Sequence, residues 1–102
     1  MGWLLVIYDL PVVEELDRKA ATKFRRDIMD VGFSMLQQSV YIKPCVTHSK
    51  IRTAVKKIKK IAPAKGKAQI IFLTDCQWAK SEVIVGEIKP EMPRQTEFWE
   101  LL

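Results

Sequence analysis

Asp9 is the residue of this sequence best placed to do chemistry. It follows the apolar run from Trp3 to Tyr8 and precedes Leu10-Pro11, so it stands where a strand gives way to a loop. Phosphodiester cleavage commonly uses a divalent metal that polarises the phosphate and lowers the pKa of the attacking water. Magnesium takes one or two carboxylates and keeps water at its other positions. One aspartate is a poor site alone, whereas two copies of Asp9 brought together by a dimer two-fold would make an adequate one. The competing reading is that Asp9 caps the loop by accepting backbone N–H groups. Other chemistries are poorly supplied. There is a single histidine, His48, and Cys45 and Cys76 are far apart with no CxxC. They are expected to be two buried thiols rather than a disulfide or a zinc site.

The second group with chemical potential is Arg18, Lys19, Lys23, Arg25 and Arg26. Some of these pair with Glu14, Asp17 or Asp27 at helical spacing, each pair contributing only ~0.2–0.5 kcal/mol. Arg25 and Arg26 lie just past the apolar Phe24, so at least one points away from the core. An arginine fork grips phosphate bidentately, which a solubilising lysine does not. Charge over the whole chain is unevenly placed. Residues 31–74 contain nine Lys or Arg and no Asp or Glu, inside a total net charge of +5. A one-signed block attracts a polyanion, most often a phosphate backbone. The competing reading is a solvated lysine face, and for Lys56, Lys57, Lys59 and Lys60 that face is the reading preferred here.

Elements that would position these residues follow from the periodicity. The run Trp3–Tyr8 reads as a strand buried on both faces. Leu16, Ala20, Phe24, Ile28 and Val31 recur every three or four residues and predict a helix over about 13–31, with acidic residues in its first turn and Gly32 as its stop. Residues 33–37 and 39–43 read as two short strands, or one long bent one, closed by Pro44. Ile51, Ala54, Val55, Ile58 and Ile61 predict a second helix over about 47–62, with lysines on its other side. Residues 68–74 read as a further buried strand and 82–88 as a weaker one. The order β-α-β-β-α-β, plus an extra C-terminal strand, is the ferredoxin-like α+β arrangement: an antiparallel sheet with both helices on one face.

With 102 residues, the chain is expected to be one domain, its core over about 3–75 and its C-terminal strand and tail over 76–102. No run reaches the ~20 apolar residues of a membrane span, and no secretory pattern opens the sequence, so the cytoplasm is the expected compartment. No strand carries the RRM signature.

Several blocks together resemble a known family. These are Tyr8-Asp9-Leu10-Pro11, Arg18-Lys19, Lys23-Phe24-Arg25-Arg26, Gly32-Phe33 and Met35-Leu36-Gln37-x-Ser39-Val40-Tyr41. They are similar to the small CRISPR-associated adaptation proteins, the second universal CRISPR protein, often described as a CRISPR-associated endoribonuclease. The stretch around Phe33–Tyr41 looks most like the type II branch. Two departures concern detailed contacts: Ala20-Ala21 and Gln38 stand where the family often has aromatics.

The resemblance implies a homodimer in which Asp9, beside Tyr8 and near Ser39, binds magnesium (or manganese) at the two-fold. It implies that Arg18, Lys19, Arg25 and Arg26 face phosphates, with Lys23 among them. It further implies an integrase subunit as partner and a prespacer DNA duplex lying across the assembly. The C-terminal strand and the tail residues Phe98, Trp99, Leu101 and Leu102 would touch the integrase, unless that tail covers the sheet of its own or its mate's subunit. Three functions stay open on these grounds: a DNA-binding scaffold for spacer acquisition, a metal-dependent nuclease acting on RNA or DNA, and an RNA-cleaving toxin of the same fold.

Overall fold

A strand with apolar side chains on both faces belongs in the middle of a sheet, and β1 (Gly2–Asp9) takes that place. In the computed structural model, which describes residues 1–86, β1 is followed by α1 (Glu15–Val31), β2 (Ser34–Gln37), β3 (Val40–Cys45), α2 (His48–Ile61), β4 (Lys67–Thr74) and a short α3 (Asp75–Ala79). The sheet order is β2-β3-β1-β4, with every pairing antiparallel. This is the expected ferredoxin-like arrangement, with four strands among the described residues.

Period-two alternation sorts β1 between two layers. Leu4 and Val6 join Phe24 and Ile28 of α1, Tyr41 and Cys45 of β3, and Ala54 and Ile58 of α2 in the main core. On the opposite face Trp3 and Ile42 pack against Trp78 of α3. The two indoles lie 5.5 Å apart. Beyond Trp78 the described residues cover that second face only in part, and Leu5 and Ile7 are half-buried rather than buried. β4 is likewise mostly exposed, because it is the sheet edge and pairs only with β1.

Other expectations are corrected in detail. β3 runs through Pro44 to Cys45. β2 pairs no further than Ile42, so at Pro44 only the β1 side of β3 is paired and no second donor is needed. The stripe of α1 is buried at Phe24 and Ile28 but exposed at Leu16, since α1 overhangs the sheet at its N-terminal end. Residues 75–79 form α3, whose Thr74–Gln77 capping box closes both ways, 3.1 and 2.9 Å. Residues 82–86 are not a strand; a short run of β-branched residues favours extended backbone but does not by itself fix a ladder. Residues 87–88 and the tail with Phe98, Trp99, Leu101 and Leu102 lie outside the described residues. Cys45 is buried as expected, whereas Cys76 is exposed because α3 buries Trp78 and Ala79 instead. No helix among the described residues is long and apolar enough to cross a membrane.

Gly32 ends α1 at φ 113°, a left-handed position that a side chain would strain. Gly66, at φ 91°, lies so close to the Asp9 carbonyl that an added Cβ would sit 2.7 Å from it. It lets the α2–β4 connection pass over the end of β1.

Burial divides one stripe into two energetic classes, and that gives the first prediction. Ile28→Ala removes a fully buried side chain and should cost about 2–5 kcal/mol, read as a lower urea midpoint at unchanged slope. Leu16→Ala, at a position 75% exposed, should stay within about 0.5 kcal/mol. Equal losses at both positions would refute this placement of α1.

Candidate functional site

Asp9 is the last residue of β1 and is exposed. Among the described residues its carboxylate has no hydrogen-bond or ion-pair partner. The loop-capping reading is thereby excluded. The loop after β1 is held by Arg18 instead, whose guanidinium donates to the carbonyls of Val12 and Val13 at 3.1 and 2.8 Å. Asp9 is left as a free acceptor at the mouth of the fold.

A groove of about 220 Å³ opens beside it, lined by Tyr8, Asp9, Arg25, Gln38, Ser39 and Tyr41 among others. Four residues proposed from the sequence therefore meet here: Tyr8, Asp9, Arg25 and Ser39. The hairpin between β2 and β3 carries Ser39 to β1. Its carbonyl accepts the Tyr8 N–H at 3.1 Å. Ser39 is the one non-glycine residue with positive φ among those described, at 66°, a conformation that commonly marks a tight turn or a functional position.

Tyr8 is fixed from two sides. Phe24 meets its ring edge-on at 5.2 Å, and Tyr41 stacks against it at 6.0 Å and 14°. Burial, together with the neighbouring Tyr41 phenol, pushes the Tyr8 pKa up to about 12, against smaller opposing effects of Ser39 and the Arg25 charge. The phenol is therefore protonated throughout the neutral range, and its O–H is a donor there, not a base.

The remaining basic candidates are distributed more widely. Lys19 pairs with Glu15 at 3.5 Å and Lys23 with Asp27, both exposed pairs of small net value. Arg26 is exposed on α1 and has no carboxylate partner among the described residues, one residue beyond the groove-lining Arg25. Tyr41 and Gln38 complete the groove and were not singled out from the sequence as site residues.

A divalent metal fits this donor set only in part. Asp9 supplies one unpartnered carboxylate, and no other acid lines the groove. No cluster of three metal-ligating side chains occurs among the described residues. One chain thus offers the minimum that magnesium accepts.

Fold and groove together define a small ferredoxin-like domain whose groove carboxylate, unpartnered among the described residues and beside an arginine and a protonated phenol, suits phosphate chemistry. Comparison with known proteins sharpens that class: residues 1–81 match the family described as CRISPR associated protein Cas2, and the chain belongs to that family. It is 40% identical over 79 residues to a CRISPR-associated endoribonuclease Cas2 of Paracidovorax avenae, covering 78% of this chain and 73% of the relative. A protein of the same name from Flavobacterium psychrophilum is 34% identical over 99 residues, covering 97% of this chain and 86% of the relative. The crystal structure of Streptococcus pyogenes Cas2 at pH 6.5 shares the fold, with a TM-score of 0.58 at 24% identity, covering 82% of this chain and 99% of that one.

The raised Tyr8 pKa has a consequence for titration. The folded protein holds this proton more tightly than the unfolded chain, so its contribution to stability is complete below pH 10 and is lost as the pH rises from 10 to 12. Phenolate absorbance should show one of the two tyrosines ionising near pH 12, and Tyr8→Phe should abolish that phase. A Tyr8 phase at the ordinary value of 10 would contradict the packing described.

Proposed function

We propose that this chain is a metal-dependent phosphodiesterase of CRISPR adaptation, working as a homodimer that binds nucleic acid across its basic surfaces. The observation that carries the reading is the convergence of Asp9, Tyr8, Arg25 and Ser39 on one groove, with the Asp9 carboxylate free of any intramolecular partner among the described residues. Relatives named as endoribonucleases support RNA as a substrate. Magnesium or manganese held by Asp9 would polarise the phosphate and lower the pKa of a bound water.

In this reading the chain's own groups bind and orient. Arg25 holds a non-bridging phosphate oxygen through its fork, and Arg26 engages the next phosphate. The Tyr8 phenol, kept protonated, donates toward the phosphate region. Ser39 holds the hairpin against β1 and sets the distance between the groove walls. Water attacks phosphorus, the bond to the leaving oxygen breaks, and the proton that the water sheds passes through solvent to the leaving oxygen. Lys19, Lys23 and Arg18 supply the surrounding positive field.

Dimerisation is supported by the sheet face away from the helices, where Leu5, Ile7 and Ile71 are only half-buried. Ile84 and Val85, 85% and 91% exposed, add apolar area that a second copy would cover. A two-fold that brings both Asp9 side chains together would complete the metal site. Prespacer duplex DNA and an integrase subunit are the proposed further partners, with the tail carrying Phe98, Trp99, Leu101 and Leu102 as the integrase contact.

A second reading, a binding scaffold without catalysis of its own, is favoured by the single carboxylate per chain in the groove. The two separate in a magnesium-dependent cleavage time course on labelled RNA and duplex DNA. Cleavage by the wild type that vanishes in Asp9→Ala is the expected result, while no cleavage, or equal cleavage by both, would leave only the scaffold. Independently, Arg25→Ala combined with Arg26→Ala should weaken duplex binding and lower the salt slope by about 1–2, with thermal unfolding little changed. Unaltered affinity would move the phosphate surface away from α1.

A further inference from the structure

The tertiary structure redistributes the positive charge of this protein. α1 carries five basic and four acidic residues, and two of those basic residues are ion-paired within the helix. α2 carries six basic residues and no acid. All six are exposed, and none is ion-paired among the described residues. Ile51, Ala54, Ile58 and Ile61 turn one side of α2 into the core. At 3.6 residues per turn, Arg52, Lys56 and Lys60 fall in one row on the side away from it, with Lys59 adjoining. No residue of α2 lines the Asp9 groove.

A face built only for solubility does not need this arrangement. Such faces mix both signs, and i, i+4 pairs of opposite charge stabilise a helix. Here Arg52–Lys56 and Lys56–Lys60 are like-charge pairs at that spacing, each costing roughly 0.2–0.5 kcal/mol. Lys50 and Arg52 stand near the N-terminus of α2, where no acid accompanies them and where the macrodipole disfavours cations. Only Lys59 and Lys60, in the last turn, are accounted for by the dipole. The row Arg52–Lys60 rises about 12 Å, the length of roughly three to four phosphates along one strand at ~3.4 Å each.

We propose that the outer face of α2 is a second nucleic-acid-binding site, separate from the Asp9 groove. It grips the phosphate backbone of a duplex without reading its sequence, through Arg52, Lys56, Lys59 and Lys60. The site rests on the nucleic-acid reading above and assigns that function a surface of its own, so a duplex can be held on α2 while another phosphate occupies the groove.

The test is fluorescence anisotropy with a labelled DNA duplex over a salt series. It compares wild type with Lys56→Gln/Lys59→Gln/Lys60→Gln and with a charge-matched variant, Lys43→Gln/Lys65→Gln/Lys80→Gln. The α2 variant should lower the magnitude of the log–log salt slope by about 2.7, or ~0.9 for each phosphate no longer neutralised, and the charge-matched variant should lower it much less. The α2 variant should also unfold at no lower temperature than wild type, since repulsion is relieved. An unchanged slope, or an equal reduction in both variants, would overturn the site while leaving the wider reading intact. A wild-type protein that binds no duplex would overturn both.

Discussion

The pairing of β1 on both its edges is the constraint on which the rest of this structure depends. Its residues from Gly2 to Ile7 lie in register with β3, and from Gly2 to Asp9 with β4. A one-residue slip would exchange Leu4 and Val6 for Leu5 and Ile7 beneath the helices. The same register sets where β1 ends. Asp9 stands opposite Lys67 at the first residue of β4, where the chain leaves the sheet and Gly66 lets the neighbouring loop pass close. The backbone at that point is held by the sheet, yet the carboxylate it carries is unpaired among the described residues. The Tyr8 N–H bond to Ser39 extends the same control to the β2–β3 hairpin. The groove is thus the open end of the central strand.

Electrostatics follows from the packing. The acids of α1 lie among its bases and hold some of them: Glu15 takes Lys19, Asp27 takes Lys23, and Asp17 reaches Lys65 at 3.7 Å. Arg18 is drawn onto loop carbonyls. Such exposed pairs are worth little and can be exchanged for phosphate, but they lower the field that α1 presents. α2 itself has no acid to answer its bases, and none of them is ion-paired among the described residues. Hydrophobic burial sets both helices on the sheet, and the placement of acids then decides how much positive charge each outer surface presents.

Much of the fold was legible because its long elements carry strong periodicity. The stripe of α2, capped by Thr47, and the apolar run of β1 gave their elements directly. Failures came where one pattern serves two environments. Leu16 continues the stripe of α1 but lies beyond the sheet, and the apolar β4 lies at an edge; neither periodicity nor composition distinguishes an edge from a centre. Val83–Val85 look like a strand, yet a run of three β-branched residues favours extended backbone without fixing a ladder. Within the site, Asp9 and Tyr8 were legible as a strand end, and Arg25 as a cation beside a core position. Ser39 was joined to them through family resemblance, and its bond with Tyr8 is a long-range one.

By itself the sequence determined where the two long helices and the four sheet strands lie, though not α3 or the course of 82–86, since side-chain period acts over a few residues. It also determined that the middle of the chain is uniformly basic, which is a count. Only the tertiary structure decided that residues 8, 9, 25 and 39 share one groove, and that α1 neutralises much of its charge internally while α2 does not. It also left one sheet face half covered. These outcomes depend on register and on which side of each element meets the core, properties of pairs of elements that no single segment encodes.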